Sequence, residues 1–111
     1  MFRIGRCFYN VHLIGELPKL EESTAIGLCC NTSQRIVLWH GLHPDQRMQT
    51  LIHELTHAWV YQAGLPDNEE NHCNMAGMAT ASALYDLQNS QDTKLISWLG
   101  FPIPPGLKDA G

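Results

Sequence analysis

Two histidines and a glutamate in one short segment have the residue types that bind a metal ion and activate water. Residues 53–57 read His-Glu-Leu-Thr-His, so His53 and His57 are four positions apart. In an α-helix this spacing puts both side chains on one face, about 6 Å apart along the axis. The two imidazoles can then bind one cation, and zinc suits such ligands best. The segment predicts a tetrahedral zinc site, completed by a third protein ligand and a water.

Glu54 lies beside the predicted ion rather than on it. Zinc lowers the pKa of a bound water to about 7, so that a nucleophile exists at neutral pH. Glu54 can take the proton of that water as a general base and pass it to a leaving amine. These residues predict hydrolysis of an amide bond, with Glu54 as the catalytic residue. The alternative without chemistry is a pair of core or surface histidines that happen to be four positions apart.

The spacing of residues alone leaves the third ligand open. Glu70 and His72 lie about 200° apart around a helix, so both cannot face the same ion. Glu70 also has a structural alternative, because it can pair with Asp67 in a capping box. A thiolate is more typical of closed structural zinc sites. The candidates in the segment after the first helix are Glu69, Glu70, His72 and Cys73.

Apolar spacing predicts three helices that position these side chains. The His-Pro-Asp tripeptide at residues 43–45 opens the first helix, and apolar residues recur every three or four positions through Gln62. A second helix, rich in alanine, begins after a polar cap and runs to about Asn89. Lys94–Leu99 form a short third helix. The two predicted ligand-bearing segments therefore lie on consecutive helices.

The first forty residues carry strand signals. Thr24–Cys30 and Arg35–His40 are separated by Asn-Thr-Ser-Gln, which predicts a β-hairpin. We expect Arg35–His40 to be an edge strand, along which an extended peptide can pair through its backbone. Because strands precede helices, we predict an α+β fold. It has a small antiparallel sheet, an active-site helix and a second ligand-bearing helix.

Composition limits the functions that are open to the chain. Its 111 residues, 44% of them hydrophobic, fit a single domain over residues 1–111. The formal net charge is −4 and the seven basic residues are scattered, which argues against nucleic acid as a partner. No segment approaches the roughly 18 apolar residues of a membrane span. Four cysteines without a secretory signal are expected to be reduced, so we expect a cytoplasmic protein.

Two sequence segments carry a resemblance to a known family. TLIHELTHAWVYQAGL, followed by NEENHCN, resembles the small zinc metallopeptidases of phages and mobile elements that are related to the ImmA/IrrE type. The preceding hairpin, TAIGLCCNTSQRIVLWHGLHPDQRMQT, fits the same pattern. The resemblance implies a minimal zincin-like fold and a gluzincin-like ligand set of His53, His57 and Glu70, with Glu54 as general base. HELTHAWVY is more distantly similar to SprT-like proteases, but the chain lacks their zinc ribbon and basic character.

These observations predict a zinc-dependent metallopeptidase. Its substrate is expected to be a peptide or protein, and its location the cytoplasm of the host cell if a phage encodes it. The alternative is a binding module that keeps the fold, with or without the metal, and engages a partner protein such as a repressor or host factor. The small size of the chain, which leaves little room for a substrate cleft, motivates that alternative.

Overall fold

The computed structural model describes residues 1–16, 19–20, 23–24 and 26–102. In this part of the chain, six strands precede three helices. The strands are β1 (Phe2–Ile4), β2 (Cys7–Ile14), β3 (Lys19–Leu20), β4 (Ser23–Thr24), β5 (Gly27–Cys30) and β6 (Arg35–Trp39). The helices are α1 (Pro44–Gln62), α2 (Glu69–Gln88) and α3 (Thr93–Leu99). Among the described residues, no helix combines the length and apolar character needed to cross a bilayer.

Four of these strands form one mixed sheet in the order β1-β2-β6-β5, and β3 pairs with β4 separately. β1 and β5 are antiparallel to their neighbours, whereas β2 and β6 are parallel, with Asn10 opposite Arg35 and Ile14 opposite Trp39. The predicted α+β class is therefore confirmed, but the prediction of an antiparallel sheet is wrong. A parallel pair needs a long connection between its strands, and residues 15–34 supply it.

The predicted hairpin is confirmed with a shorter first strand. β5 and β6 pair from Gly27 opposite Leu38 to Cys30 opposite Arg35. Thr24 belongs to β4, and residue 25 lies outside the described residues. The expectation that residues 35–40 form an edge strand is wrong, because β6 lies between β2 and β5. The edge of this sheet beside α1 is β5.

The predicted helices are confirmed to within one or two residues. The imidazole Nδ1 of His43 accepts a hydrogen bond from the backbone N–H of Asp45 at 3.2 Å, which caps the start of α1. The side chain of Asn68 accepts from the backbone N–H of Asn71 at 2.9 Å and caps α2. These caps satisfy donors that a helix start leaves unpaired, so the sequence marks both helix starts locally.

The core lies between the sheet and the helices. α1 contacts β1, β5, β6, α2 and α3, and α2 also contacts β1. The buried side chains of α2 include the small residues Ala79 and Ala83, which let the two helices approach closely. Residues of the core that are less than 2% exposed include Tyr9, Ile36, Leu38, Leu51, Leu55 and Ala58. This packing brings the first turns of α2 alongside the middle of α1.

Helix α3 fastens the start of α1 to the end of β6. The indole Nε1–H of Trp98 donates to the carbonyl of His40 at 2.8 Å. Arg47 donates through Nη1 to the carbonyl of Trp98 at 2.8 Å, and its guanidinium lies 4.9 Å from the centre of the Trp98 ring. These contacts fix the position of the start of α1 relative to the end of β6. They thereby help to position the middle turns of α1, which carry His53 and His57.

Candidate metal centre

Three imidazoles meet between α1 and α2. His53 and His57 extend from α1, and His72 extends from the first turns of α2. The ring centres lie 4.7 Å apart for His53–His57, 4.8 Å for His53–His72 and 4.7 Å for His57–His72. The Nε2 atoms of His53 and His57 are 3.1 Å apart. We call these three residues the histidine triad.

The histidine triad fits a zinc ion. Two nitrogens bound to one tetrahedral zinc at 2.0–2.1 Å would lie about 3.3 Å apart, and their ring centres about 5 Å apart. The observed separations, 3.1 Å between the two Nε2 atoms and 4.7–4.8 Å between ring centres, are close to both values. The two Nε2 atoms therefore have the spacing of two ligands to one ion, and a ligand nitrogen of His72 lies within 4.8 Å of one of His57.

His72 is held in the form that binds metals. Burial lowers the pKa of His72 below its ordinary value, and the neighbouring charges of His57 and His53 lower it further, whereas Asp67 acts in the opposite direction. A lowered pKa means that the imidazole is neutral over a wider pH range. Metal ligation requires the neutral imidazole, so the site favours the ligating form of this residue.

Asp67 adds a carboxylate to this cluster. Its Oδ2 lies 2.9 Å from Nδ1 of His57. The ligand atoms of His57, Asp67 and His72 all lie within 4.8 Å of one another, so these three also form a possible metal-binding group. The two groups lie on different sides of the His57 ring. Nε2 of His57 faces Nε2 of His53 at 3.1 Å, whereas Nδ1 faces Oδ2 of Asp67 at 2.9 Å.

The structure places Glu70 outside this cluster. Glu70 is exposed and is not among the residues that line the pocket of about 390 Å³ around the histidines. The residues that line it are His53, His57, Asp67, Asn68, Glu69, His72 and Cys73. The assignment of Glu70 as third ligand stays a prediction, and the geometry favours His72 among the alternatives left open by the sequence.

A sequence signal for His72 exists in the spacing of α2. Ala79, Ala83 and Leu87 form its buried side, and the same stripe continued towards the helix start passes through residues 76 and 72. Glu70 lies about 200° from His72 and so faces away from α1. Asp67 has no comparable signal, because its position depends on the path of the short loop between α1 and α2.

Glu54 lies next to the histidines but is buried on the sheet side of α1. It is 8% exposed and forms part of the wall of a second cavity, of about 580 Å³. Burial raises the pKa of Glu54 above its ordinary value, and the charge of Asp67 raises it further, whereas His53 and His57 act in the opposite direction. A carboxyl with a raised pKa is a stronger base than an exposed one, as proton abstraction requires.

The cavity beside Glu54 lies between α1 and the first residue of the edge strand β5. Its walls come from β5 and the residue before it, and from three turns of α1. The lining residues are Ile26, Gly27, Gln46, Gln49, Thr50, His53 and Glu54. Its volume is within the range of about 300–1,000 Å³ that is usual for ligand sites. This cavity connects the start of β5, an edge strand among the described residues, with the predicted base and one predicted ligand.

Comparisons with known proteins give no relative for this chain. No protein-family model matches it, and neither a curated protein nor a solved structure matches it at a significant level.

Proposed function

We propose that this protein is a zinc-dependent metallopeptidase. The histidine triad would hold the ion, and Glu54 would be the general base. The observation that carries the proposal is the convergence of three imidazoles within 4.8 Å of one another, centre to centre, beside a buried carboxyl group. When bound, zinc supplies a Lewis acid that lowers the pKa of water and polarises a carbonyl group.

The role of Glu54 follows from its place in the wall of the cavity. Its carboxylate can accept a proton from water and then donate that proton to the amine that leaves when the peptide bond breaks. Its neighbours in the cavity wall are apolar or uncharged, apart from His53.

A peptide is the substrate class that the surroundings of Glu54 support best. β5 is an edge strand, so the side of its backbone away from β6 can pair with an extended chain. The cavity of about 580 Å³ begins at Gly27, the first residue of this strand, and reaches Glu54. A peptide paired with β5 would carry its carbonyl groups past the general base. The resemblance to small zinc metallopeptidases supports the same class.

The decisive experiment compares metal content and cleavage in matched variants. We expect the untagged wild-type chain to bind one zinc per chain and to cleave members of a peptide library. Glu54→Gln should keep the zinc and lose about 100- to 10,000-fold in cleavage rate, the usual contribution of a general base. Glu70→Gln makes the same chemical change outside the cluster and should leave both properties intact.

Two results would reject the proposal. A wild-type chain without zinc would remove its basis, and an active Glu54→Gln variant would exclude the mechanism. Zinc binding without cleavage of any peptide, combined with capture of a specific partner protein, would favour the binding-module alternative.

A further inference from the structure

The contact between Asp67 and His57 determines which nitrogen of His57 is available. A carboxylate only accepts hydrogen bonds, so the 2.9 Å contact requires Nδ1 of His57 to carry the hydrogen and donate to Oδ2 of Asp67. A neutral imidazole has one N–H group, and its other nitrogen then carries a lone pair. In His57 that nitrogen is Nε2, which faces His53.

The same reasoning assigns the opposite form to His53. The two Nε2 atoms are 3.1 Å apart, which is a hydrogen-bond distance. When His57 is neutral, its Nε2 is the acceptor, and Nε2 of His53 is then the donor in the metal-free protein. Zinc binding would therefore move the hydrogen of His53 from Nε2 to Nδ1, whereas His57 would keep its hydrogen where it is.

We propose that Asp67 is a positioning residue that acts from outside the ligand set of the metal and holds His57 with Nε2 directed at the ion. This inference rests on the proposed function. Carboxylates that bind the second nitrogen of a ligating histidine fix its orientation and make it a better donor. The competing arrangement has Asp67 as a direct ligand with His57 and His72. In that arrangement a carboxylate oxygen of Asp67 would bind the ion, whereas in the structure Oδ2 of Asp67 contacts Nδ1 of His57 at 2.9 Å.

The loop that carries Asp67 is itself fixed to the start of α2. The side-chain amide of Asn71 donates to the carbonyl of Pro66 at 2.8 Å, and its backbone N–H donates to the side chain of Asn68 at 2.9 Å. Asp67 lies between these two anchored residues. Its bond to His57 therefore links α1 to the helix that supplies His72, and the cluster is arranged before the ion arrives.

The first test measures zinc affinity by competition with a chelator, using the untagged full-length chain. Asp67→Ala should weaken zinc binding about 10- to 100-fold while one zinc per chain is still bound. Asp67→Asn should lose less, because its side-chain oxygen still accepts from Nδ1. Glu70→Gln removes a nearby carboxylate without this contact and should bind zinc like wild type. Circular dichroism checks that each variant is folded, which the 58% exposure of Asp67 favours.

The second test reads the ligand set directly. The absorption spectrum of the cobalt(II) form should keep its tetrahedral bands in Asp67→Ala, because no ligand is removed. Nitrogen-15 NMR of the neutral imidazoles should show His57 with its hydrogen on Nδ1 both without and with zinc. It should show His53 changing from Nε2 to Nδ1. In Asp67→Ala the metal-free protein should show a mixture of both forms of His57.

Three results would overturn the inference. Equal zinc affinity in wild type and Asp67→Ala would remove the positioning role while leaving the proposed function intact. Loss of the cobalt bands in Asp67→Ala, or movement of the His57 hydrogen on zinc binding, would make Asp67 a ligand. A wild-type chain that binds no zinc would overturn both this inference and the proposed function.

Discussion

Gly27 and Glu54 lie so close together that no side chain fits between them. A Cβ atom on Gly27 would be 3.2 Å from Cγ of Glu54 and only 2.9 Å from Cγ2 of Thr50. Gly27 therefore allows the edge strand β5 to lie directly against the turn of α1 that carries the predicted general base. The position of Glu54 relative to β5 therefore depends on the absence of a side chain at residue 27.

We expect Gly27→Ala to lower the free energy of unfolding by about 1–3 kcal/mol, because the added methyl group forces β5 and α1 apart. It should also reduce peptide cleavage, since Glu54 moves with α1. Urea denaturation measures the first effect. Gly77→Ala is the matched control, because nothing lies within 4 Å of a Cβ at that helical position. It should stabilise the protein by about 0.5–1 kcal/mol, and destabilisation of equal size in both variants would contradict the steric argument.

Zinc affinity distinguishes His72 from Glu70 as the third ligand. His72→Ala should weaken zinc binding by more than about 100-fold, beyond the usual effect of an outer contact, because it removes a ring of the triad. Glu70→Gln should bind zinc normally, because that side chain is exposed outside the pocket. Zinc titration with a competing chelator distinguishes them. The reverse result would establish the ligand set that the family resemblance implies.

A buried hydroxyl group joins three parts of the fold. The side chain of Tyr9 in β2 is fully buried, and its hydroxyl donates to Asn31 at 2.9 Å and accepts from Gln62 of α1 at 3.0 Å. Tyr9→Phe leaves both partners without this bond and should cost about 1–3 kcal/mol of stability in urea denaturation. Tyr85→Phe, at a position 65% exposed, should change stability by less than about 0.5 kcal/mol. Similar losses in the two variants would argue against the network.

The partly buried thiol of Cys29 is expected to make the free energy of unfolding fall as the pH rises in the alkaline range. Burial, together with the neighbouring charge of Glu54, raises its pKa from an ordinary value of 9.0 to about 12. The folded protein therefore favours the protonated thiol. The contribution of this protonated thiol to the free energy of unfolding is fully present below pH 9.0. It is lost as the pH rises towards about 12. The slope is at most about 1.4 kcal/mol per pH unit.

The measurement for Cys29 is the free energy of unfolding at several pH values above 9. We expect Cys29→Ala to lose less stability with rising pH than wild type does. Cys73→Ala, which removes an exposed thiol, should follow the wild-type curve. Parallel curves for all three proteins would show that ionisation of Cys29 is not coupled to folding.

Local patterns in the sequence predicted the helices and the hairpin, because their signals are short-range. The Pro44 start of α1 and the turn between β5 and β6 each depend on a few neighbouring residues. The parallel pairing of β2 with β6 depends on how residues 15–34 connect the two strands. The alternation of apolar residues within a strand does not predict which strand it pairs with. For the same reason the edge strand was assigned to β6 instead of β5.

The candidate site divides in the same way. His53, Glu54 and His57 follow from one helical turn, so their relative placement is readable from spacing alone. The approach of His72 depends on how α2 packs against α1, which the buried stripe of Ala79 and Ala83 indicates only once the partner helix is known. The contact of Asp67 with His57 belongs to a loop and has no periodic signal in the sequence.

The hydrogen bonds of Trp98 with His40 and Arg47 form late during synthesis of the chain, because Trp98 follows both residues by more than 50 positions. Arg47, in the second turn of α1, binds the carbonyl of a residue 51 positions further along, and the Trp98 indole reaches back 58 positions to His40. On a ribosome, the helix with His53 and His57 emerges long before the residue that secures it. A nascent chain therefore exposes this helix before Trp98 has been synthesised, and termination before residue 98 would leave the helix without these contacts.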